Sequence, residues 1–482
     1  MRAQPIRFGS TGVALGLLIA GPALARMIGP NCMPVKRLET NLKAYVQEHP
    51  QDAEGHFALG RVYAFAFSGD TTYLATSPGI DTPFPSPREP GDPPRWGQRP
   101  SPNAYKAVEK DGAARYTIVP EAGTALAYLT EGVRRLRTAV ELDGSRGTYH
   151  LTFAYLLDVG RHLASYVDTG DLLAPHGVEL DPKLVGDITL AVHELAEEEK
   201  AAASLQLLTE RLDEGIMVIS RLRIRPDRRS QATVQALLER YWVKRCVEEY
   251  KRAFDLGLEG DLTLATHRMH AGLESYEAGT ALLRLRAEVP GPFPLDDEAI
   301  AAIKAGLAKI DSIEARTFVS PIVLPAMPGE GIDELCDPGT RVCFDLDGDG
   351  VVENCSWVRP TTGILVWDPD RSGRVESGRD MFGNATWWLL FSDGYRALDA
   401  LDDDRDGWLT GAELDHLSVW YDLDSDGHAG PGEVIPIERT EIVGLATHWD
   451  AHEGTALRAT RGMLLRGGTV LPSYDWYADC SR

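Results

Sequence analysis

The 482-residue chain predicts a multidomain fold, an all-α N-terminal region followed by a small α+β module. Two textures and the length predict it. Through residues 204–222, 231–256 and 262–289, apolar side chains recur at intervals of three and four, the period of a helix with one buried face. Near Ile313 this pattern stops. Short strand-like runs follow at 318–324, 342–344 and 363–367, punctuated by Gly, Asp and Pro. The length suffices for two to four domains, each with its own core. The boundary falls at about residue 316, leaving helical regions at 26–175 and 176–315 and the module at 316–482.

Residues 1–25 have the pattern of a secretory signal peptide. Arg2 and Arg7 precede a short apolar stretch at 13–21, and Ala23-Leu24-Ala25 fits a small-residue cleavage site. That stretch is well short of the roughly 20 residues a membrane-spanning helix needs, and no later segment is long and apolar enough. The expectation is an exported chain, periplasmic or extracellular, with no membrane span once the leader is removed. Six cysteines, an even count, suit disulfides in that setting. Cys336, Cys343 and Cys355 lie close together, so a local bridge among them is expected, although spacing alone leaves the pairing open.

Residues 37–67 resemble a tetratricopeptide unit: a helix, a break at Pro50-Gln51-Asp52, and a second helix carrying Leu59-Gly60 and Tyr63. The glycine would let the two helices approach, with the aromatic ring wedged between them. A looser echo runs through 128–157. Between them, residues 77–102 hold nine prolines and read as an exposed insertion, since proline suits neither helix interior nor central strand. Helix after helix with short polar breaks predicts an α-solenoid or irregular bundle. Such a surface implies a protein partner without identifying one.

The net charge of −23 is concentrated. Residues 344–433 carry 20 acidic against 6 basic side chains. Phosphate backbones would be repelled, which excludes nucleic acid as a partner. The acidic residues are also patterned. Residues 402–413 and 422–433 each satisfy a twelve-residue calcium loop at every ligand position. Asp402, Asp404 and Asp406 take positions 1, 3 and 5, Gly407 the turn at 6, the Trp408 carbonyl 7, and Glu413 the bidentate position 12. Asp422, Asp424, Asp426, Gly427, the His428 carbonyl and Glu433 repeat this order. Carboxylates two residues apart repel one another unless a hard cation lies among them, and calcium takes six to eight oxygens at about 2.4 Å.

Two imperfect loops precede these. Asp345, Asp347 and Asp349, the Val351 carbonyl and Glu353 at position 9 form one, with Ser356 where Glu is usual. Asp368, Asp370, Ser372, the Arg374 carbonyl and Glu376 at position 9 form the other, with Asp380 one place beyond position 12. The two complete loops begin only 20 residues apart, too close for a paired EF-hand with two helices and a linker between loops. Residues 414–421 are expected to form one short helix shared by both.

The ordered runs S-P-I-V-L (320–324), F-D-L-D-G-D-G (344–350), W-V-x-P (357–360), M-F-G-N-A-T (381–386), D-G-Y-x-A-L (393–398) and V-W-Y-D-L-D-S-D-G (419–427) carry a resemblance. Residues 316–480 are similar to the bacterial calcium-binding module of exported proteins, including iron-regulated RTX proteins. The resemblance implies calcium as cofactor, EF-hand-like loops, and closing β-hairpins with strands at 458–466 and 474–477. Two departures are visible. Pro325-Ala326-Met327-Pro328 replaces an acidic loop usual after S-P-I-V-L, and Thr362-Gly363 stands where Asp-Gly is frequent. Some relatives cleave themselves at an Asp-Pro bond on binding calcium. Here Ser320-Pro321 holds that place, and serine lacks the carboxylate that attacks, so self-processing is only the alternative reading.

Other chemistry is sparse. His267 and His270 lie three apart without a third ligand. His448, Asp450 and His452 would share one face if they lay in a strand, which gives a second alternative, a metallohydrolase. No nucleophile elbow, P-loop or dinucleotide fingerprint is present. The chain therefore reads as a calcium-stabilised scaffold and not as an enzyme. Removing calcium is expected to loosen residues 340–440 and leave the helical half intact.

Overall fold

The computed structural model describes residues 32–69, 73–75, 105–110, 113–118, 122–164, 243–258, 273–289, 293–310, 316–348 and 350–481. The predicted leader, the proline-rich stretch, residues 165–242, His267, His270 and Asp349 lie outside these. Helix α1 (Val35–Glu48) and helix α2 (Ala53–Gly69) flank the predicted break at Pro50–Asp52 as a helical hairpin. Apolar residues at helical spacing on α1, from Val35 and Leu38 through Leu42, Tyr45 and Val46, are buried. Then come α3 (Ala122–Leu142), α4 (Gly147–Ala164), α5 (243–258), α6 (Leu273–Glu288) and α7 (Asp297–Ile310). Two small strand pairs accompany them, β1 (Cys32–Pro34) with β2 (Tyr73–Ala75) and β3 (Tyr105–Lys110) with β4 (Ala113–Ile118).

The Leu-Gly-x-x-Tyr residues act differently from the sequence expectation. A Cβ on Gly60 would stand 2.7 Å from Leu136 Cγ, so the glycine brings α2 against α3 and not against α1. Tyr63 reaches both neighbours. Its hydroxyl donates to Glu39 Oε1 of α1 (3.1 Å), and its ring lies 5.8 Å from that of Tyr128 on α3.

From Arg316 onward short strands replace the long helices. The strands are β5 (Arg316–Val319), β6 (Ile322–Leu324), β7 (Cys336–Phe344), β8 (Glu353–Val358), β9 (Gly363–Trp367), β10 (Trp408–Thr410) and β11 (Leu417–Trp420). They continue with β12 (Val434–Pro436), β13 (Ile442–Ala446), β14 (Ala451–Glu453), β15 (Ala456–Leu465), β16 (Val470–Asp475) and β17 (Ala478–Ser481). Short helices α8 (Ile332–Leu335) and α9 (Gly394–Asp399) interrupt them. The large antiparallel sheet has the order β10-β13-β15-β16-β6-β9-β11-β12, with β14 added on β15. A smaller sheet runs β5-β17-β8-β7.

The period-two alternation of strand side chains divides the interior. On β9, Leu365 and Trp367 face one core while Ile364 and Val366 face the other; on β6, Ile322 and Leu324 oppose Val323. One core lies between the two sheets and contains Phe344, Trp357, Trp420 and Tyr474. The other is continuous with α1 to α7. The central strands are thus covered on both faces, which is why β9 is buried along its whole length.

Residues 414–421 do not form the expected helix. They end a 3₁₀ turn (Gly411–Leu414) and continue as β11, paired with β9. Val419 and Trp420 favour strand, and the run fills both cores, Leu417 and Val419 one and Trp420 the other. The expected local disulfide is replaced by Cys355–Cys480. These residues stand directly opposite in the β8–β17 register, with Cα atoms 4.0 Å apart, whereas Cys343 pairs with Asn354. Cys336 and Cys343 are free thiols.

The helices join the module through polar contacts as well as the shared core. Arg61 of α2 is buried. Its Nε and Nη2 donate to the Trp388 carbonyl (2.9 and 2.8 Å) and its Nη1 to Thr152 Oγ1. Trp387, Trp388 and Leu390 all hold left-handed backbone (φ 47°, 55° and 57°), a conformation that costs an L-residue roughly 1–2 kcal/mol. The Arg61 fork fixes the carbonyl that this conformation presents. Arg396 of α9 pairs with Asp52 and Glu54, and Glu54 also accepts from the Ser392 N–H.

Candidate metal centre

All four acidic loops share one backbone design. The first residue of each is a buried aspartate, Asp345, Asp368, Asp402 or Asp422. Each accepts on Oδ2 from the N–H of the glycine five residues on, Gly350, Gly373, Gly407 or Gly427, at 2.9–3.2 Å. Those glycines have φ of 89°, 67°, 87° and 76°, which only glycine adopts freely. Position 4 is left-handed too, at Gly348, Arg371, Arg405 and Ser425. Repeated left-handed residues turn successive N–H groups and carboxylates toward one centre. Isolated acidic turns would not repeat this register.

The loops differ in what closes them. Glu413 Oε1 accepts from the N–H of Asp403 at position 2 (2.7 Å), and Glu433 Oε1 from that of Leu423 (2.9 Å). In the loop at Asp345, Glu353 of β8 takes the same role, accepting from the Leu346 N–H at 3.0 Å. A position-9 carboxylate therefore substitutes for the missing Glu at position 12. The loop at Asp368 has Pro369 at position 2, with no N–H to give. Asp380 instead accepts from the N–H groups of Glu376 and Ser377.

Three trios of carboxylates consequently converge: Asp345, Asp347 and Glu353; Asp402, Asp404 and Glu413; Asp422, Asp424 and Glu433. In each, one ligand oxygen per residue lies within 4.8 Å of the others. Among the described residues, Asp368, Asp370, Ser372, Glu376 and Asp380 form no such trio. Asp406 and Asp426 stand beside their trios and accept from the N–H groups of Trp408 and His428 at position 7. Position 7 of the four loops is held by Val351, Arg374, Trp408 and His428. Two full charges 4.8 Å apart repel by roughly 3 kcal/mol at an effective dielectric of about 20. Burial raises the Asp402, Asp422 and Asp368 carboxyls above the ordinary aspartate range, against the lowering effect of the loop N–H bonds. Oxygen-only donors and an acidic excess fit a hard divalent cation.

Sequence reasoning missed two supports. Trp357 of β8 donates its indole N–H to Asp422 Oδ2 at 2.6 Å, fixing a position-1 carboxylate from the opposite sheet. The W-V-x-P run contained this residue but gave no sign of its partner. The other is the contact between loop 402–413 and α1. Arg37 Nε and Asn41 Nδ2 donate to Asp403 Oδ1 (3.0 and 2.7 Å), and Arg405 Nε donates to Glu48 Oε2 (2.8 Å).

The metallohydrolase geometry is not formed. His448 precedes β14 instead of lying in it, and its Nε2 faces Asp399 at 3.8 Å. Asp450 accepts from Thr460, and the His452 ring lies against Trp449. At Asp337–Pro338, the Asp337 carboxylate accepts from the Gly339 N–H and the Thr340 hydroxyl.

Residues 326–468 match the SPM domain family. The iron-regulated protein FrpA of Neisseria meningitidis serogroup C is 30% identical over 125 residues, 25% of this chain and 11% of that protein. The chain thus spans a small part of this relative's length.

Proposed function

We propose that residues 316–482 form a calcium-binding module in which the ion is structural, carried by an exported protein. The observation that carries this reading is the convergence of three carboxylate trios on loops of one backbone design. Calcium is preferred over magnesium because twelve-residue, oxygen-rich loops suit six to eight ligands near 2.4 Å, whereas magnesium demands a tight octahedron and retains waters. The similarity of 326–468 to the SPM domain and of the chain to FrpA fits the resemblance to exported calcium-binding modules, and the disulfide suits an exported chain. In a periplasmic or extracellular setting with millimolar calcium, a site of about 10 μM affinity would add ~2.7 kcal/mol to stability. The helical half, tetratricopeptide-like in its first hairpin, acts in this reading as a scaffold for a protein partner.

Calorimetric titration of the chelator-treated full chain tests the metal reading. Glu413→Gln and Glu433→Gln should each remove one equivalent of calcium bound. Unchanged stoichiometry in both variants would contradict it.

A further inference from the structure

The complete loops are built alike but placed differently. At 422–433, the position-2 residue Leu423 is 61% exposed. At 402–413, the equivalent Asp403 accepts from Arg37 and Asn41 of α1, and Arg37 Nη2 also donates to the Leu401 carbonyl (2.9 Å). Asn41 Nδ2 donates in addition to the Ala400 carbonyl (3.1 Å). Position 4, Arg405, pairs with Glu48 and lies 5.3 Å over the Tyr45 ring. Arg396, next to this loop on α9, covers the same ring at 4.4 Å.

Asp403 and Arg405 alternate in sequence with the ligand positions Asp402, Asp404 and Asp406. Side chains that alternate with inward ligands point out of the loop, and here they point onto α1. The Asp403 N–H is held by Glu413 Oε1, the position-12 carboxylate. Whatever gathers Asp402, Asp404 and Glu413 therefore also fixes Asp403 and Arg405. In the other direction, Arg37 offsets the one loop carboxylate that is not a ligand, lowering the repulsion a cation must overcome.

The geometry points to a cation-dependent clasp: occupancy of loop 402–413 fastens the α1–α2 hairpin to the module, and the docked hairpin in turn tightens that one site. The inference rests on the metal reading above and adds a partner surface, the N-terminal hairpin of the same chain. Linkage requires the coupling to be equal in both directions. Among the described residues, loop 422–433 makes no such contact at position 2, where Leu423 is exposed, and it serves as the internal control.

The test uses the full chain in two backgrounds that isolate one complete loop each. Asp345→Asn with Glu433→Gln leaves loop 402–413; Asp345→Asn with Glu413→Gln leaves loop 422–433. Adding Arg37→Ala and Asn41→Ala should weaken calcium binding about tenfold in the first, within the roughly 5–150-fold span of coupled sites, and by less than about twofold in the second. Equal affinity in the first background, or equal losses in both, would overturn the clasp. Hydrogen exchange on the unsubstituted chain gives a second readout: calcium should slow exchange across 35–48, and Glu413→Gln should abolish that effect. Calcium-independent exchange there would also overturn it. Failure of the unsubstituted chain to bind calcium would instead sink the metal reading, and the clasp with it.

Discussion

Trp357 shows how a residue outside the loops can set one of them. Its indole N–H reaches Asp422 Oδ2 from a core position between the two sheets. Hydrogen bonds to charged groups are worth about 1.5–3 kcal/mol. Trp357→Phe keeps most of the packing and removes the donor, so it should weaken calcium binding at loop 422–433 roughly tenfold and leave loop 402–413 unchanged. Equal affinity at both loops would refute that role. Asp475 is a second single-residue case. It accepts from the Gly394 N–H (2.9 Å) at a fully buried site, where burial, and next the Asp393 charge, hold its carboxyl well above the ordinary range. The folded chain then keeps the proton that the unfolded chain releases above about pH 4. The stability Asp475 contributes is full below that value and declines as pH rises toward the folded value. Asp475→Asn should flatten this decline and raise the denaturant midpoint at neutral pH. Parallel curves for both proteins between about pH 5 and about pH 8 would contradict the assignment.

At the level of elements, what was legible in the sequence followed from local chemistry. Glycines at position 6 and aspartates at position 1 are demanded by a turn a few residues long, so spacing revealed them. The β9 range, 363–367, was legible because four apolar residues, Ile364 to Trp367, lie between Gly363 and Asp368-Pro369. The segment 414–421 was not: its conformation is decided by β9, about fifty residues upstream, and by two cores that its sequence does not disclose. The Glu353 contact and the Cys355–Cys480 pair were hidden for the same reason, since both depend on how β8 pairs. The disulfide joins residues 125 apart. Loop-closure entropy for a span of this size is worth about 4–5 kcal/mol. Cys480→Ser should therefore lower unfolding stability by an amount of that order, with reduced protein behaving likewise; an unchanged midpoint would mean that the bridge constrains nothing.

Across the whole molecule, one hydrophobic core runs from α1 to the large sheet, and Arg61, Arg396 and Arg405 cross the same boundary with charge. The expectation that chelation would leave the helical half intact is thereby revised. The module is the platform on which α1 and α2 rest, and loosening loop 402–413 removes the groups that α1 holds. Ion binding should stabilise both parts, the acidic loops directly and the first hairpin through them.

Hydrogen exchange of the full chain with calcium and with chelator tests this most directly. Calcium should protect residues 402–433 strongly and 35–48 to a lesser degree. Exchange that is the same with and without calcium across both segments would contradict the structural role assigned to the ion.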